Sequence, residues 1–282
     1  MAKRPVNMTL KNLYKITARP KLHNPVMIAA WPGVANVSSI CLHYLRHKLD
    51  NKRLGEVIAY NFFDPIGITV KRSLVEAPQF PQSIFYYWKN PRGGSDIIFF
   101  QGDDQPTAKG YDLAQTVLDV AERFSVHTVY TFAAALSRIH HTEPSRVLAV
   151  VTTANIIQEM EEFPIHRASN LQIAGLNGLL MGVAKERKIR GVCLVGEVPQ
   201  YAARIQNPKA SLAILRVLAE ILKIEIDFTD LEVLAAEVGE KMKQMAAQAM
   251  GEYIDFFTEP IWERDGGDDD DYDDEEDESE SN

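Results

Sequence analysis

Five consecutive apolar residues, Val26-Met27-Ile28-Ala29-Ala30, closed by Trp31-Pro32-Gly33, constrain this chain more than any other feature. A short run without alternation is the pattern of a strand buried on both faces, and such a strand needs helices on either side of its sheet. Helical spacing follows at once in Val37, Ile40, Cys41, Tyr44, Leu45 and Leu49, with His43, Arg46 and Lys48 interleaved. Residues 57–60, 68–70, 84–88 and 97–100 read as strands from β-branched and aromatic content, and the turn residues at 92–95 indicate a hairpin. Beyond residue 109 the alternation is regular. A helix runs through Leu113, Val117, Val120 and Phe124, strands follow at 126–132 and 147–151, helices near 156–160 and 176–188, a strand at 192–195 and a helix at 210–222. Strands separated by helices require crossover connections. The expected fold is therefore α/β: a layered, mostly parallel sheet flanked by helices, with a β-hairpin decoration and a long C-terminal helix.

That last helix is expected over 230–256, N-capped by Asp230, with Leu231, Leu234, Val238, Met242, Met245, Ala249 and Tyr253 as a stripe at three- and four-residue steps. Such a stripe packs either on the chain's own core or on a neighbouring subunit. The expected organisation is a lead-in at 1–24, one α/β domain over 25–262 and a disordered acidic tail over 263–282. The boundary of the tail comes from charge. Twelve of the 39 Asp and Glu fall within residues 265–280, leaving 27 acidic against 30 basic residues in the body. Carboxylates at that density repel one another and bury no apolar area.

A near-neutral body without a basic stripe, followed by a polyanionic tail, is a poor match to nucleic-acid phosphates, so no nucleic acid is expected as a partner. Cys41 and Cys193 sit in apolar runs and fit a reducing compartment as small core residues. No stretch approaches the roughly 18 uncharged apolar residues of a membrane span. No apolar leader follows the basic start. The expected location is the cytoplasm, away from any membrane.

Pro32, Gly33 and Asn36 form a strand-to-helix loop at the end of the first buried strand, where α/β sheets place ligands. The loop lacks the glycines of a phosphate cradle, which favours a tight turn. Gly102, Asp103, Gln105 and Pro106 follow another strand, and the adjacent Asp103 and Asp104 fit turn formation better than Mg²⁺ coordination. Glu197 ends a strand at the mouth of the sheet without a visible catalytic partner, so a structural or subunit-contact role is expected. His43 with His47, and His140 with His141, lack a third ligand at metal spacing; no metal and no cofactor are expected. Glu159-Met160-Glu161 looks like the ribose-binding element of nucleoside phosphorylases, but Pro164 interrupts the helix that would follow it.

Five separated segments carry a family resemblance: residues 30–37 (AWPGVANV), 96–106 (DIIFFQGDDQP), 175–180 (GLNGLL, with Gly178), 194–201 (LVGEVPQY) and 207–211 (NPKAS). Their order and spacing resemble the proteasome-assembly-chaperone-like family, the PAC2-type superfamily, over about residues 25–245. The resemblance implies a phosphorylase-like α/β fold, no catalysis, and protein–protein interaction as the activity. The implied partners are itself, as a homo-oligomer, and proteasome-type or other protein subunits. Some members enter pockets between proteasome α-subunits with a C-terminal hydrophobic-Tyr-any tripeptide, and this chain ends Glu280-Ser281-Asn282 instead. The expected function is that of a non-catalytic assembly-chaperone-like protein, with a small-ligand or nucleoside-binding enzyme related to nucleoside phosphorylases as the alternative. The loops at 32–36 and 102–106, together with Gly178 and Glu197, are its expected working surface.

Overall fold

The computed structural model of the chain describes residues 13–65, 67–168 and 170–258, with side chains described through residue 245. The acidic tail expected over 263–282 lies outside the described residues. The strands are β1 (Tyr14–Ile16), β2 (Val26–Ala30), β3 (Lys52–Val57), β4 (Val70–Lys71), β5 (Leu74–Val75), β6 (Ser83–Trp88), β7 (Ile97–Gly102), β8 (Thr128–Ser137), β9 (Val147–Val151), β10 (His166–Arg167) and β11 (Gly191–Pro199). The helices are α1 (Val37–Lys48), α2 (Gly110–Arg123), α3 (Ala154–Met160), α4 (Leu176–Glu186), α5 (Pro208–Leu222) and α6 (Thr229–Thr258). Contacts divide the chain into Met1–Glu240, which holds every strand, and Lys241–Asn282, whose described part is the continuation of α6.

The main sheet runs β1-β3-β6-β7-β2-β8-β11-β9-β10, and β4 and β5 form a separate two-stranded sheet. Its centre, β7-β2-β8-β11, is parallel, as the alternation of strands and helices requires. The flanks differ from the expectation. β1, β3, β6 and β7 are joined antiparallel, and so are β11 and β9, so the sheet is mixed. The turn at 92–95 joins β6 and β7 as part of this sheet, and the hairpin that decorates the fold is β4–β5.

β2 shows why the apolar run is the anchor. Val26, Ile28 and Ala30 enter one core with residues of α1 and α5. Met27, Ala29 and Trp31 enter a second core with residues of α2 and α4. β7 repeats the split, with Ile97 and Phe99 on one side and Ile98 and Phe100 on the other. The period of two sends alternate side chains to opposite faces, so every residue of the strand must be apolar. Each large side chain so buried contributes about 1.5–3 kcal/mol.

Three local expectations are corrected. The strand expected at 57–60 lies earlier, at β3, and Ala59–Asn61 is a turn of 3-10 helix. β3 carries Lys52, Arg53 and Glu56, which hide it from an apolar pattern, and it is covered by β1 from what reads as a lead-in. The two approach so closely at Gly55 that a Cβ there would stand 2.3 Å from the Lys15 carbonyl oxygen. α6 begins at Thr229, one residue before the expected cap. Asp227 accepts hydrogen bonds from the Thr229 N–H (3.0 Å) and hydroxyl (2.7 Å), while Asp230 pairs with Lys48 at 2.6 Å.

The Thr229 hydroxyl and N–H, then Lys48, hold the Asp227 carboxyl down at about 2, below its ordinary 3.8. A carboxyl depressed in the folded state adds stability above its unfolded value, and that stability is lost as pH falls through the folded one. Melting temperature against pH is therefore expected to show a component lost between about pH 4 and about pH 2 that is missing in Asp227→Asn.

Cys41 and Cys193 are both free and fully buried. Burial raises both thiols, Cys193 to about 12 and Cys41 further. Neither is a reactive thiolate at neutral pH. A thiol reagent is expected to titrate neither cysteine in the native protein and both after denaturation; prompt native labelling would contradict this packing.

Candidate functional site

The loops singled out in the sequence meet at the C-terminal ends of β2 and β7, where the first turn of α4 arrives. Asn177 lies in that turn and is buried. Its Oδ1 accepts from the Trp31 N–H at 3.0 Å, and its Nδ2 donates to the Trp31 carbonyl at 3.0 Å and to the Ser38 hydroxyl at 3.2 Å. Ser38 also donates to the Trp31 carbonyl. One amide thus continues the hydrogen bonding of β2 one residue past its end, where the backbone would otherwise be buried without partners.

Gln105 makes the second tie. Its Nε2 donates to the Pro32 carbonyl at 2.6 Å, and its Oε1 accepts from the Leu176 N–H at 2.8 Å. Gln105 packs against Gly175, whose φ of +76° and lack of Cβ make the approach possible; an added Cβ would stand 2.6 Å from Gln105 Oε1. Gly178 lies one turn on, where a Cβ would stand 2.2 Å from the Ile173 carbonyl oxygen. Gly102 faces the indole of Trp31, itself fully buried and tilted against Phe100 at 4.8 Å.

The far side of the loop is tied to the approach to α5. Ala35 donates its N–H to the Ala203 carbonyl (3.2 Å), and the Ala35 carbonyl accepts from the Asn207 N–H (2.9 Å). Asn207 also caps α5, its side chain accepting from the Ala210 N–H at 2.9 Å ahead of Pro208. Ala35 and Asn36 are both left-handed, with φ of 50° and 54°. That conformation costs a non-glycine residue about 1–2 kcal/mol and persists where the surroundings over-determine it. The result is a rigid knuckle. Gly33 and Val34 stand exposed at its apex, and Asp103 and Asp104 stand exposed on the loop that Gln105 ties to it.

Of the sequence-derived site residues, Pro32, Gly33, Asn36, Gly102, Asp103, Gln105 and Gly178 thus belong to this cluster, and Pro106 follows Gln105, half-buried. Asp103 donates its N–H to the Gln82 carbonyl (2.9 Å) and accepts from Gln101 Nε2 (3.1 Å), while Asp104 accepts from the N–H of the next residue, Gln105 (2.7 Å). Glu197 is separate. Its buried carboxylate accepts from Arg146 Nε at 2.6 Å and Nη2 at 2.9 Å, and its carbonyl accepts from the Ser145 hydroxyl at 2.6 Å. This pins the segment between β8 and β9. The same segment is held by His141, whose N–H donates to the Tyr201 hydroxyl (2.8 Å) and whose carbonyl accepts from Lys209 Nζ (2.8 Å).

Ser38 and Asn177, the residues that close the knuckle, were not among the expected site residues. The signal for Asn177 was an amide in the apolar first turn of a helix, inside one of the marker segments. Glu159 pairs with Arg190 (2.7 Å) and Glu161 with Arg167, each at the surface. His43 and His47 are exposed on α1. Among the described residues no group of three or more His, Cys, Asp or Glu could hold a metal ion, and no helix is long and apolar enough to cross a membrane.

Fold and knuckle together define a class: a mixed α/β sheet protein whose strand-end loops are locked to one another by the side-chain amides of Asn177 and Gln105. A model of the PAC2 family matches residues 27–246, and the chain belongs to that family. Pyrococcus furiosus PbaB, described as an archaeal proteasome activator, superposes with a TM-score of 0.69 at 26% identity, over 83% of this chain and 98% of that one. Mycobacterium tuberculosis Rv2125, described as a proteasome-assembly chaperone homologue, superposes with a TM-score of 0.67 at 20% identity, over 82% and 99%. The uncharacterized protein MJ1210 of Methanocaldococcus jannaschii is 25% identical over 215 residues, 75% of this chain and 79% of its own.

Proposed function

We propose that this chain is a proteasome-assembly-chaperone-like protein that works without catalysis, in the cytoplasm, by docking folded subunits of proteasome type and by self-association. Membership of the PAC2 family and the likeness to PbaB support the class. The observation that carries the reading to a surface is the knuckle. Its amides and hydroxyl are consumed in internal hydrogen bonds and its backbone is locked, while Val34, Asp103 and Asp104 stand outward. A rigid protrusion loses little freedom on binding, which suits recognition of another protein. The acidic stretch at 265–280 adds a salt-sensitive attraction for basic partner surfaces.

Affinity purification of the full chain from its native cell, with mass spectrometry, tests this. Proteasome α-subunits are expected to co-purify and to be lost with Val34→Asp. Their absence at low and high salt overturns the reading. Nucleoside phosphorolysis abolished by Glu161→Ala would replace it with the enzyme alternative.

A further inference from the structure

The segment between β3 and β6 leaves the main sheet and folds into the β4–β5 hairpin, which the fold does not cover. Val70 and Val75 are directly opposite on one face, with Ile68 two residues before Val70; Leu74 is opposite Lys71 on the other. Leu74 is 72% exposed, Val75 70%, Val70 58% and Ile68 53%. A two-stranded hairpin is marginal by itself in water. Its turn adds to the cost, because Arg72 (φ 50°) and Ser73 (φ 66°) hold a conformation that Asn-Gly adopts more readily. Clustered exposed apolar side chains of this kind mark a contact surface.

A matching surface exists on the same chain. At the start of α6, Val233 (54% exposed) and Leu234 (42%) form an apolar step, with Glu237 one turn on from Val233. Of the stripe, Leu231 and Met242 are buried, while Leu234 is exposed. Charge matches as well. At the hairpin Lys71 is held by Glu76 at 2.9 Å, and at the start of α6 Asp230 and Glu232 are held by Lys48 and Arg216; among the described residues neither Arg72 at the tip nor Glu237 makes an ion pair. Each surface thus offers exposed aliphatic side chains beside one uncompensated charge, and the two charges are opposite.

We propose that the β4–β5 hairpin of one copy docks on the first turns of α6 of a second copy, with Ile68, Val70 and Val75 against Val233 and Leu234 and Arg72 against Glu237. This deepens the self-association part of the proposed function and rests on it.

Sedimentation equilibrium of the full chain tests it, using wild type, Val70→Ser with Val75→Ser, Arg72→Glu, Glu237→Arg, and the last two combined. All four substituted side chains are exposed, so melting temperatures should agree and changes in mass report association. Wild type is expected to associate at micromolar concentration. The serine pair and each single charge reversal should weaken association about tenfold or more, and the combined reversal should restore it. Association that none of the variants changes by more than about twofold overturns the docking surface while self-association stands. A wild-type monomer up to about 100 μM overturns both and leaves docking to foreign subunits standing. Capture of a foreign partner that is lost with the serine pair, from a monomeric wild type, reassigns the hairpin to that partner.

Discussion

Asn177→Leu is expected to lower the melting temperature by about 5–12 °C. The apolar side chain fills a similar volume but leaves the Trp31 N–H buried without an acceptor, while Ser38 still serves the Trp31 carbonyl. A buried unsatisfied donor costs about 1–3 kcal/mol, and the lost bonds to the Trp31 carbonyl and Ser38 add to it. In a domain of this size each kcal/mol moves the midpoint by about 2–4 °C. Asn177→Asp separates hydrogen bonding from packing. The acid keeps the acceptor for the Trp31 N–H but, when ionised, faces the Trp31 carbonyl with no proton to give. Burial raises such a carboxyl above its unfolded value, so the protonated form is favoured in the fold. Stability relative to wild type should then be best at low pH and fall as pH rises through the raised value. A pH-independent deficit, or a Leu variant within about 2 °C of wild type, would show that the amide does not hold the knuckle.

Gly102→Ala is expected to be at least as damaging, by steric means. The new Cβ would stand 2.3 Å from Trp31 Cδ1 and 2.4 Å from Nε1. The indole cannot swing aside cheaply, because it is fully buried and rests against Phe100, which in turn rests against Phe85. Overpacking of this kind costs about 1–3 kcal/mol, and more where nothing yields. Combining it with Trp31→Leu should recover part of the loss, since the smaller side chain vacates the collision. Calorimetry of the three proteins decides it. If the double variant is as destabilised as the sum of the single ones, the collision is not the cause.

The parts legible in the sequence were those with a local pattern. Val26–Ala30 announced a central buried strand because five apolar residues in a row have no other economical placement, and Val37, Cys41 and Leu45 announced the helix after it. β3 was illegible because Lys52, Arg53 and Glu56 break its apolar pattern, and β1 because three residues are too few to show a period; what makes them strands is pairing with each other and with β6, distant in the chain. The loops at 32–36 and 102–106 stood out in the sequence through the marker segments, and their contact with each other through Gln105 did not. Glu197 was legible as an unusual carboxylate but not as the partner of Arg146, because only the antiparallel pairing of β9 with β11 brings their strand ends together.

By itself the sequence determined the α/β class, the central strand and the uneven distribution of charge, because burial periodicity and charge count are properties of neighbouring residues, while the five marker segments carried the family resemblance. Only the tertiary structure decided that half the sheet's pairings are antiparallel, that Asn177 closes the loop after β2 from 146 residues away, and that the hairpin and the start of α6 are left uncovered. The reason is the same in each case: a hydrogen bond or a buried face between distant residues depends on where the chain has brought them, and no window of the sequence contains both partners.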